Sequence, residues 1–192
     1  MENFQILIFI FEWILVFIFA IIFIMLIIWM ISSFFSEVPF YPVSKKVFPD
    51  IYKALHLKEG SVVYDLGSGD GRLLFYLIDK YPNIEYIGIE NNLFPIILTY
   101  IRIFIRKIKN KKNPKIIFKN FHKVDLSNAT HIYSYLYPKT MDQLLGKLEK
   151  ELKPGVIFIS ATFKFTLKKE IIEIDLLRKK TQLTRMLYIY EF

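Results

Sequence analysis

The chain has 192 residues, enough for one well-buried domain, and its hydrophobic content of 54% and mean hydropathy of +0.34 are high for a soluble protein of this size. Its formal net charge is +8. The absence of cysteine excludes disulfides and thiolate metal sites.

The N-terminal end carries the excess of apolar residues. The stretch Ile6 to Ile31 consists mostly of Ile, Leu, Phe and Val, with Glu12 as its charged residue. Trp13 to Ile31 is a run of nineteen residues without charge, which is long enough to span a bilayer. The basic start, short apolar core and small-residue cleavage site of a secretory signal are absent. We therefore predict a transmembrane helix that contacts the lipid bilayer through Ile6 to Ile31.

The basic residues near this span predict its orientation. Residues 1–31 contain no Lys or Arg, whereas Lys45 and Lys46 follow closely. The positive-inside rule then predicts a single-pass membrane protein whose C-terminal domain is cytoplasmic. We divide the chain into an anchor and connector over residues 1–36 and a second domain over 37–192. The second domain opens with VPFYP, Val38 to Pro42, whose two prolines favour an extended path.

The second domain alternates short apolar runs with longer amphipathic ones. The predicted strands are Val62 to Leu66, Tyr86 to Glu90, Lys115 to Phe118, Ile132 to Tyr135 and Val156 to Ser160. The predicted helices are Val47 to Leu57, Arg72 to Asp79, Leu93 to Lys109 and Met141 to Glu151. This order predicts an α/β fold with a mostly parallel sheet. Two strand-like segments, Glu170 to Leu177 and Leu183 to Glu191, predict a closing antiparallel hairpin.

The motif DLGSGDG, Asp65 to Gly71, connects the first predicted strand to the next helix. Its alternating glycines allow a tight turn and the close approach of a ligand to the backbone. Glu90 ends the next strand, nineteen residues past Gly71, where an acid can accept hydrogen bonds from two ribose hydroxyls. This layout predicts a nucleoside-cofactor site, and the competing interpretation is a glycine-rich turn without a ligand.

The residues around the glycines distinguish between cofactors. Dinucleotide sites have a third glycine where this chain has Arg72, which disfavours a pyrophosphate. The acids Asp65 and Asp70 suit a ligand that carries positive charge. The ammonium and sulfonium of S-adenosylmethionine have that charge, so we predict S-adenosylmethionine as the cofactor.

Over residues 47–192 the sequence resembles the class I S-adenosylmethionine-dependent methyltransferases. VPFYP, DLGSGDGR, NFHKVDLS at Asn120 to Ser127 and YLYP at Tyr135 to Pro138, together with the apolar N-terminal segment, resemble more narrowly the small membrane-anchored protein-lysine methyltransferases. Members of that group act on the ADP/ATP carrier and the c subunit of ATP synthase, and prokaryotes have single-span relatives. The resemblance implies a Rossmann-like class I methyltransferase sheet preceded by one N-terminal transmembrane helix.

The resemblance also implies roles for residues of the cofactor site. Asp65 would orient the ammonium and Glu90 would hold the ribose. Asn120 stands where relatives often have an aspartate near the adenine amino group, and its amide carbonyl can accept the same hydrogen bond. Phe121 would stack on adenine, or pack in the core. The remaining predicted cofactor residues form the loop: Gly67, Ser68, Gly69, Asp70 and Gly71.

YLYP follows the fourth predicted strand, at the edge where parallel sheets bind ligands. Tyr135 and Tyr137 alternate, so we expect one of them to face the site. We predict that Tyr137 and Pro138 position the substrate, with the ring beside the alkyl chain of an amine; buried aromatic packing is the alternative. YLYP departs from the motif of enzymes that methylate nucleobase amines, which disfavours nucleic acid. Asp70 and Glu37 are candidates for a general base by composition only.

Two further features leave alternatives open. His56, His122 and His131 lack the spacing of metal ligands, so no metal is predicted. The basic run from Arg102 to Lys119 has three interpretations: a solvated face, a surface that contacts anionic lipid and, least favoured, a surface that contacts nucleic acid.

The sequence thus predicts a membrane-anchored methyltransferase that acts on a lysine amine of a membrane-associated protein. The alternatives are methylation of a lipid or lipophilic small molecule, and a noncatalytic module that binds the cofactor or the membrane.

Overall fold

The computed structural model describes residues 2–35, 41–176 and 186–192. The chain divides into two compact units, Met1–Pro39 and Phe40–Phe192. The predicted boundary between residues 36 and 37 lies outside the described residues and stays a prediction. Glu37, most of VPFYP and the predicted hairpin connection at residues 178–181 also lie outside them.

The first unit contains one long helix, α1, Glu2–Phe35. Its segment Phe4–Ser32 is long and apolar enough to cross a membrane and contains the predicted span. The apolar side chains of this segment are largely exposed, Phe19 for example by 76%.

The second unit alternates helices and strands in the predicted order. A 3-10 helix, Lys45–Val47, leads into α2, Phe48–Leu55, and a second one, Phe121–Lys123, follows the third strand. The strands are β1 Val62–Leu66, β2 Glu85–Glu90, β3 Lys115–Phe118, β4 His131–Ser134, β5 Ile157–Ala161, β6 Ile172–Asp175 and β7 Met186–Glu191. The remaining helices are α3 Arg72–Lys80, α4 Leu93–Ile108 and α5 Pro138–Glu151.

Two helix ends differ from the prediction by more than one residue, for local reasons. Helix α2 ends at Leu55, before the predicted Leu57, because His56 adopts a left-handed conformation with φ 45°. Helix α5 begins at Pro138, before the predicted Met141, because proline is well suited to the first helical position.

The seven strands form one sheet in the order β3-β2-β1-β4-β5-β7-β6. β1 to β5 are parallel, and β7 pairs antiparallel with both β5 and β6. The predicted mostly parallel sheet with a closing antiparallel hairpin is therefore present. From β1 the chain continues to β2 and β3 on one side of β1, and it then crosses to β4 on the other side of β1. This reversal opens a crevice at the carboxyl ends of β1 and β4.

Two hydrophobic clusters cover the two faces of the sheet. Leu74 and Leu77 of α3 pack with Val63 on one face, and Leu144 of α5 packs with Tyr64 on the other. Successive residues of β1 point to opposite faces, so this strand is buried on both sides. The carboxyl ends of the strands are therefore where a ligand can bind. The polar residues Asp65 and Glu90 lie at these ends.

Candidate functional site

The glycine loop between β1 and α3 has a backbone that favours glycine. Gly67, Gly69 and Gly71 have φ of 76°, 57° and 68°. A Cβ atom on Gly67 would lie 3.2 Å from Cδ2 of Leu136, and one on Gly71 would lie 3.0 Å from the ring of Phe75. The loop is thus closely packed against Leu136 and Phe75, and Gly67 is its exposed residue.

Glu90, the last residue of β2, is fixed by the backbone of that loop. Its Oε2 accepts a hydrogen bond from the Gly69 amide at 2.8 Å, and its Oε1 accepts from the amides of Asn91 and Asn92, each at 2.8 Å. Burial raises the pKa of Glu90, and the three amides oppose that rise. A carboxylate has about four acceptor positions. Both oxygens are therefore oriented in advance, and Oε2 retains one acceptor position for a ribose hydroxyl.

Asp65 lies near the end of β1 and is 3% exposed. Burial, followed by repulsion from Glu90 and Asp70, raises the pKa of Asp65 to about 8. Across the β1–β4 pairing Asp65 faces Tyr133. The Tyr133 hydroxyl is buried and has no hydrogen-bond partner within the described part of the chain. A cationic ligand group beside Asp65 would restore its ionised form.

Asp70 has a different environment from Asp65. Its carboxylate accepts hydrogen bonds from Nε of Arg72 at 2.8 Å, from Nη2 of Arg72 at 2.7 Å and from Nη2 of Arg102 at 2.8 Å. Burial favours a higher pKa of Asp70, but the two arginines outweigh it and lower the pKa. This carboxylate connects the loop to α4. Because two guanidinium groups pair with it, it is a poor proton acceptor, and their positive charge offsets its attraction for a cationic ligand. Its predicted cofactor role stays a prediction.

Sequence reasoning missed three residues that shape the loop. Thr99 of α4 is buried, and its hydroxyl donates to the Gly69 carbonyl at 3.0 Å, with the Pro95 carbonyl nearby at 3.1 Å. Arg102 donates from Nη1 to the Asp70 carbonyl at 2.8 Å. Gly88 has no space for a side chain, because a Cβ atom would lie 2.8 Å from Oγ of Ser68. Of the three residues, Gly88 could have been identified from the sequence, because a glycine inside a strand indicates that another part of the chain or a ligand approaches closely.

The predicted adenine contacts follow β3. Oδ1 of Asn120 accepts a hydrogen bond from the amide of His122 at 2.9 Å and caps the 3-10 helix there. The Phe121 ring is partly buried and lies 4.7 Å from the His122 ring, centroid to centroid. The amide carbonyl of Asn120 therefore already accepts a hydrogen bond within the protein. Its NH2 group is the other group that a ligand could contact. The adenine roles of both residues stay predictions.

The predicted substrate residues lie between β4 and α5. Tyr137 is 42% exposed and Pro138 begins α5. The rings of Tyr135 and Tyr137 lie 6.0 and 5.4 Å from the ring of Phe163. Both tyrosines thus contact one residue, because residues 135–137 lie outside β4 and do not follow strand alternation. Leu136 between them is buried and reaches the glycine loop.

Phe163 is positioned by a strained turn after β5. Thr162 has φ 72°, which is unusual for a β-branched residue, and the Phe163 amide donates to the Ala161 carbonyl at 2.9 Å across it. The Ser160 hydroxyl donates to the Phe163 carbonyl at 2.5 Å. Strained turns of this kind cluster at functional sites. We name Tyr135, Tyr137 and Phe163 the aromatic trio.

The cofactor side fits S-adenosylmethionine on three structural grounds. Glu90 presents a preoriented carboxylate, Asp65 is a buried acid with a raised pKa, and Tyr133 offers an unsatisfied hydroxyl next to Asp65. These groups match a ribose hydroxyl and an ammonium. Within the described residues, no group of three or more His, Asp or Glu side chains is arranged to hold a metal.

Comparisons with known proteins agree with this geometry. The family described as the ANTKMT methyltransferase domain matches residues 65–171, more than half of the chain. A protein-lysine N-methyltransferase of Saccharolobus islandicus (strain REY15A) is 30% identical over 145 residues, which cover 74% of this chain and 89% of that protein. The Homo sapiens lysine N-methyltransferase of the ATP synthase c subunit is 31% identical over 127 residues, which cover 66% of this chain and 52% of the human protein.

A solved structure supports the fold. The RNA methyltransferase from Salinibacter ruber, crystallised in complex with S-adenosyl-L-homocysteine, has a TM-score of 0.69 and 22% identity, and the match covers 79% of this chain and 93% of that one. The predicted class I methyltransferase fold and the predicted class of S-adenosylmethionine-dependent methyltransferase are confirmed. The chain belongs to the family of ANTKMT methyltransferases.

Proposed function

We propose that this chain is a membrane-anchored enzyme that methylates the side-chain amine of a lysine in a membrane-associated protein. The observation that carries the proposal is the position of the aromatic trio beside the cofactor loop, connected to Gly67 through Leu136. The names of two relatives, both lysine N-methyltransferases, support the choice of acceptor.

The cofactor side of the proposal assigns each polar group one task. Glu90 accepts a hydrogen bond from a ribose hydroxyl, and Asp65 pairs with the ammonium. The exposed Gly67, which has no side chain, lets the ligand lie close to the ends of β1 and β4. S-adenosylmethionine supplies, when bound, a methyl carbon activated by a positively charged sulfur. The protein then has to place a nucleophile against that carbon and exclude water.

The acceptor side requires a neutral amine. A free lysine has a pKa of about 10.4, so it must lose a proton before it reacts. Tyr137 and Phe163 present aromatic faces that can hold the lysine alkyl chain, and an apolar surrounding lowers the pKa of an amine. Since Asp70 is paired with Arg72 and Arg102, we propose that the proton leaves to water and not to Asp70.

The anchor restricts where the acceptor is. We propose that α1 crosses the membrane through its segment Phe4–Ser32, which has the required length and composition, with the methyltransferase domain in the cytoplasm. An enzyme and a substrate confined to one membrane meet at a high effective concentration without added affinity. A membrane-associated protein is therefore the acceptor that best uses this architecture.

The test is a transfer assay with the full chain. Membranes from the source cells, freed of endogenous activity, are incubated with the purified protein and methyl-labelled S-adenosylmethionine. We expect the label in protein, as methyl-lysine after acid hydrolysis. Label that extracts only with lipid would show that the acceptor is wrong.

Matched carboxylate variants complete this assay. Glu90→Ala removes the preoriented carboxylate, so we expect no transfer. Glu149→Ala removes an exposed carboxylate of α5 and should transfer as the wild type does. Equal transfer by both variants would contradict the site.

A further inference from the structure

Helix α4 exposes an apolar stripe along its whole length. Residues separated by three or four positions lie on one side of a helix. The exposed side chains of this stripe are Leu93, Tyr100, Ile101, Phe104, Ile105 and Ile108, with exposures between 47% and 68%. We name these six residues the α4 stripe. A helix on the surface of a soluble domain is expected to turn such residues inward.

The inward side of α4 combines two buried apolar residues, Pro95 and Ile96, with polar ones. Thr99 donates to a loop carbonyl, Arg102 pairs with Asp70, and Arg106 pairs with Asp79 at 3.0 Å. These contacts fix the rotation of α4 about its own axis, so that the polar side packs against the domain. The α4 stripe is therefore held outward by three sets of polar contacts.

Basic residues surround the α4 stripe. The sequence from Asn91 to Asn120 contains eight Lys or Arg and no acidic residue. Lys107 and Lys109 are exposed and lie on either side of the stripe near its end. Lys115 and Lys119 are exposed on the edge strand β3 or just after it, near the exposed Phe118. The surface thus combines large apolar side chains with positive charge.

We propose that the α4 stripe docks onto the headgroup region of an anionic lipid bilayer, with the flanking lysines on lipid phosphates. An outward apolar stripe with basic borders matches a helix that lies in the membrane interface. A protein partner would match the apolar area, but the one-sided positive charge favours a surface of uniform negative charge. This inference goes beyond the proposed function, because it assigns a membrane contact to the methyltransferase domain itself.

The test places a fluorescent label on the stripe of the full chain. The protein contains no cysteine, so Phe104→Cys gives a single labelling position. The labelled chain is reconstituted in vesicles of phosphatidylcholine and phosphatidylglycerol that contain a nitroxide lipid. Gln143→Cys is the control, because this exposed residue lies on α5, on the opposite face of the sheet. Ile18→Cys in α1 reports insertion of the anchor separately.

We expect quenching at position 104, none at 143, and quenching at 104 that declines when phosphatidylglycerol is omitted. Equal quenching with and without phosphatidylglycerol would overturn the assignment to anionic lipid. A blue-shifted but unquenched label at 104 would mean that protein covers the stripe, either a second copy or α1, and would overturn the proposal. Absence of quenching at 18 alone would refute the anchor and leave the docking result valid.

A charge variant tests the lysines. Lys107→Gln with Lys109→Gln should lower the ratio of docked to undocked protein about fivefold for each lysine removed. Lys150→Gln with Lys153→Gln removes the same charge from exposed positions in and after α5 and should leave quenching at 104 unchanged. Equal effects of the two variants would show that net charge, and not this surface, is responsible.

Discussion

We expect cofactor binding to depend on Glu90 more than on any other single residue. In Glu90→Gln the amide nitrogen replaces one acceptor oxygen, so either the loop amides or the ribose hydroxyls lose a partner. Hydrogen bonds to a charged group contribute about 1.5 to 3 kcal/mol each, so we expect the affinity for S-adenosylhomocysteine to fall at least tenfold. Isothermal titration measures this, with Glu149→Gln as the matched exposed control. An unchanged affinity in Glu90→Gln would contradict the ribose assignment.

Asp65 makes stability depend on pH in a definite direction. Its pKa is raised from 3.8 to about 8, so the folded protein keeps a proton that the unfolded chain releases. The free energy of unfolding therefore declines as pH rises from about 4 to about 8, by up to about 1.4 kcal/mol for each pH unit, and this contribution is lost above the folded pKa. Asp65→Asn cannot release a proton, so we expect its decline to be smaller.

The measurement is the thermal midpoint of the free protein between pH 5 and pH 8. Near-ultraviolet circular dichroism of the tyrosines is the suitable signal, because both tryptophans, Trp13 and Trp29, lie in α1. Curves of wild type and Asp65→Asn that run parallel would refute a raised pKa of Asp65.

The sequence placed Asp65, Glu90 and the glycines correctly at the strand ends, because those positions follow from local strand and turn patterns. It did not reveal the pairing of Asp70 with Arg102, which are 32 residues apart. Side-chain partners that meet only through tertiary packing leave no periodic signal in the sequence. Nothing in the pattern around Asp70 therefore indicated that its carboxylate is paired.

At the scale of elements, the packing of α3 on β2 depends on Gly88. A Cβ atom there would lie 2.8 Å from Cδ1 of Leu74 and 3.0 Å from Cδ1 of Ile116. We expect Gly88→Ala to lower the free energy of unfolding by about 1 to 3 kcal/mol through overpacking. Gly146 in α5 has open space around it, so Gly146→Ala should raise stability by about 0.5 to 1 kcal/mol. Chemical denaturation of both variants tests the contrast, and equal midpoints would contradict it.

We propose that the turn after β5 and the segment after β4 form the acceptor side together. Phe163→Ala removes the ring that contacts Tyr135 and Tyr137. We expect the KM for the protein acceptor to rise about tenfold or more, because the aromatic trio loses its shared face, while binding of S-adenosylhomocysteine stays the same. Steady-state kinetics with titration of the cofactor product separates the two. A weaker cofactor affinity with an unchanged KM would place Phe163 on the cofactor side.

Phe163 could not be recognised from the sequence. Its role depends on the positive φ of Thr162, and a β-branched residue gives no sign that it will adopt this conformation. YLYP was recognised by its place after a strand, but strand alternation did not apply, because β4 ends at Ser134.

At the scale of the whole molecule, the order of elements was predictable because buried strands and amphipathic helices have different periods. Whether the apolar face of a helix turns toward the core or toward the surroundings was not predictable. The apolar period of α4 is the same whether its stripe faces the core or the surroundings, and the contacts of Thr99, Arg102 and Arg106 orient it outward. The apolar residues of this chain therefore form two exposed surfaces, one in α1 and one in α4.

Methylation of a lysine in a membrane-associated protein can be tested in cells by mass spectrometry of the membrane proteins. Source cells that lack this chain are compared with cells that carry the wild type or Glu90→Ala. We expect a methylated lysine in a membrane protein that is present with the wild type and absent in the other two. Identical lysine methylation in all three cell lines would contradict the proposed function.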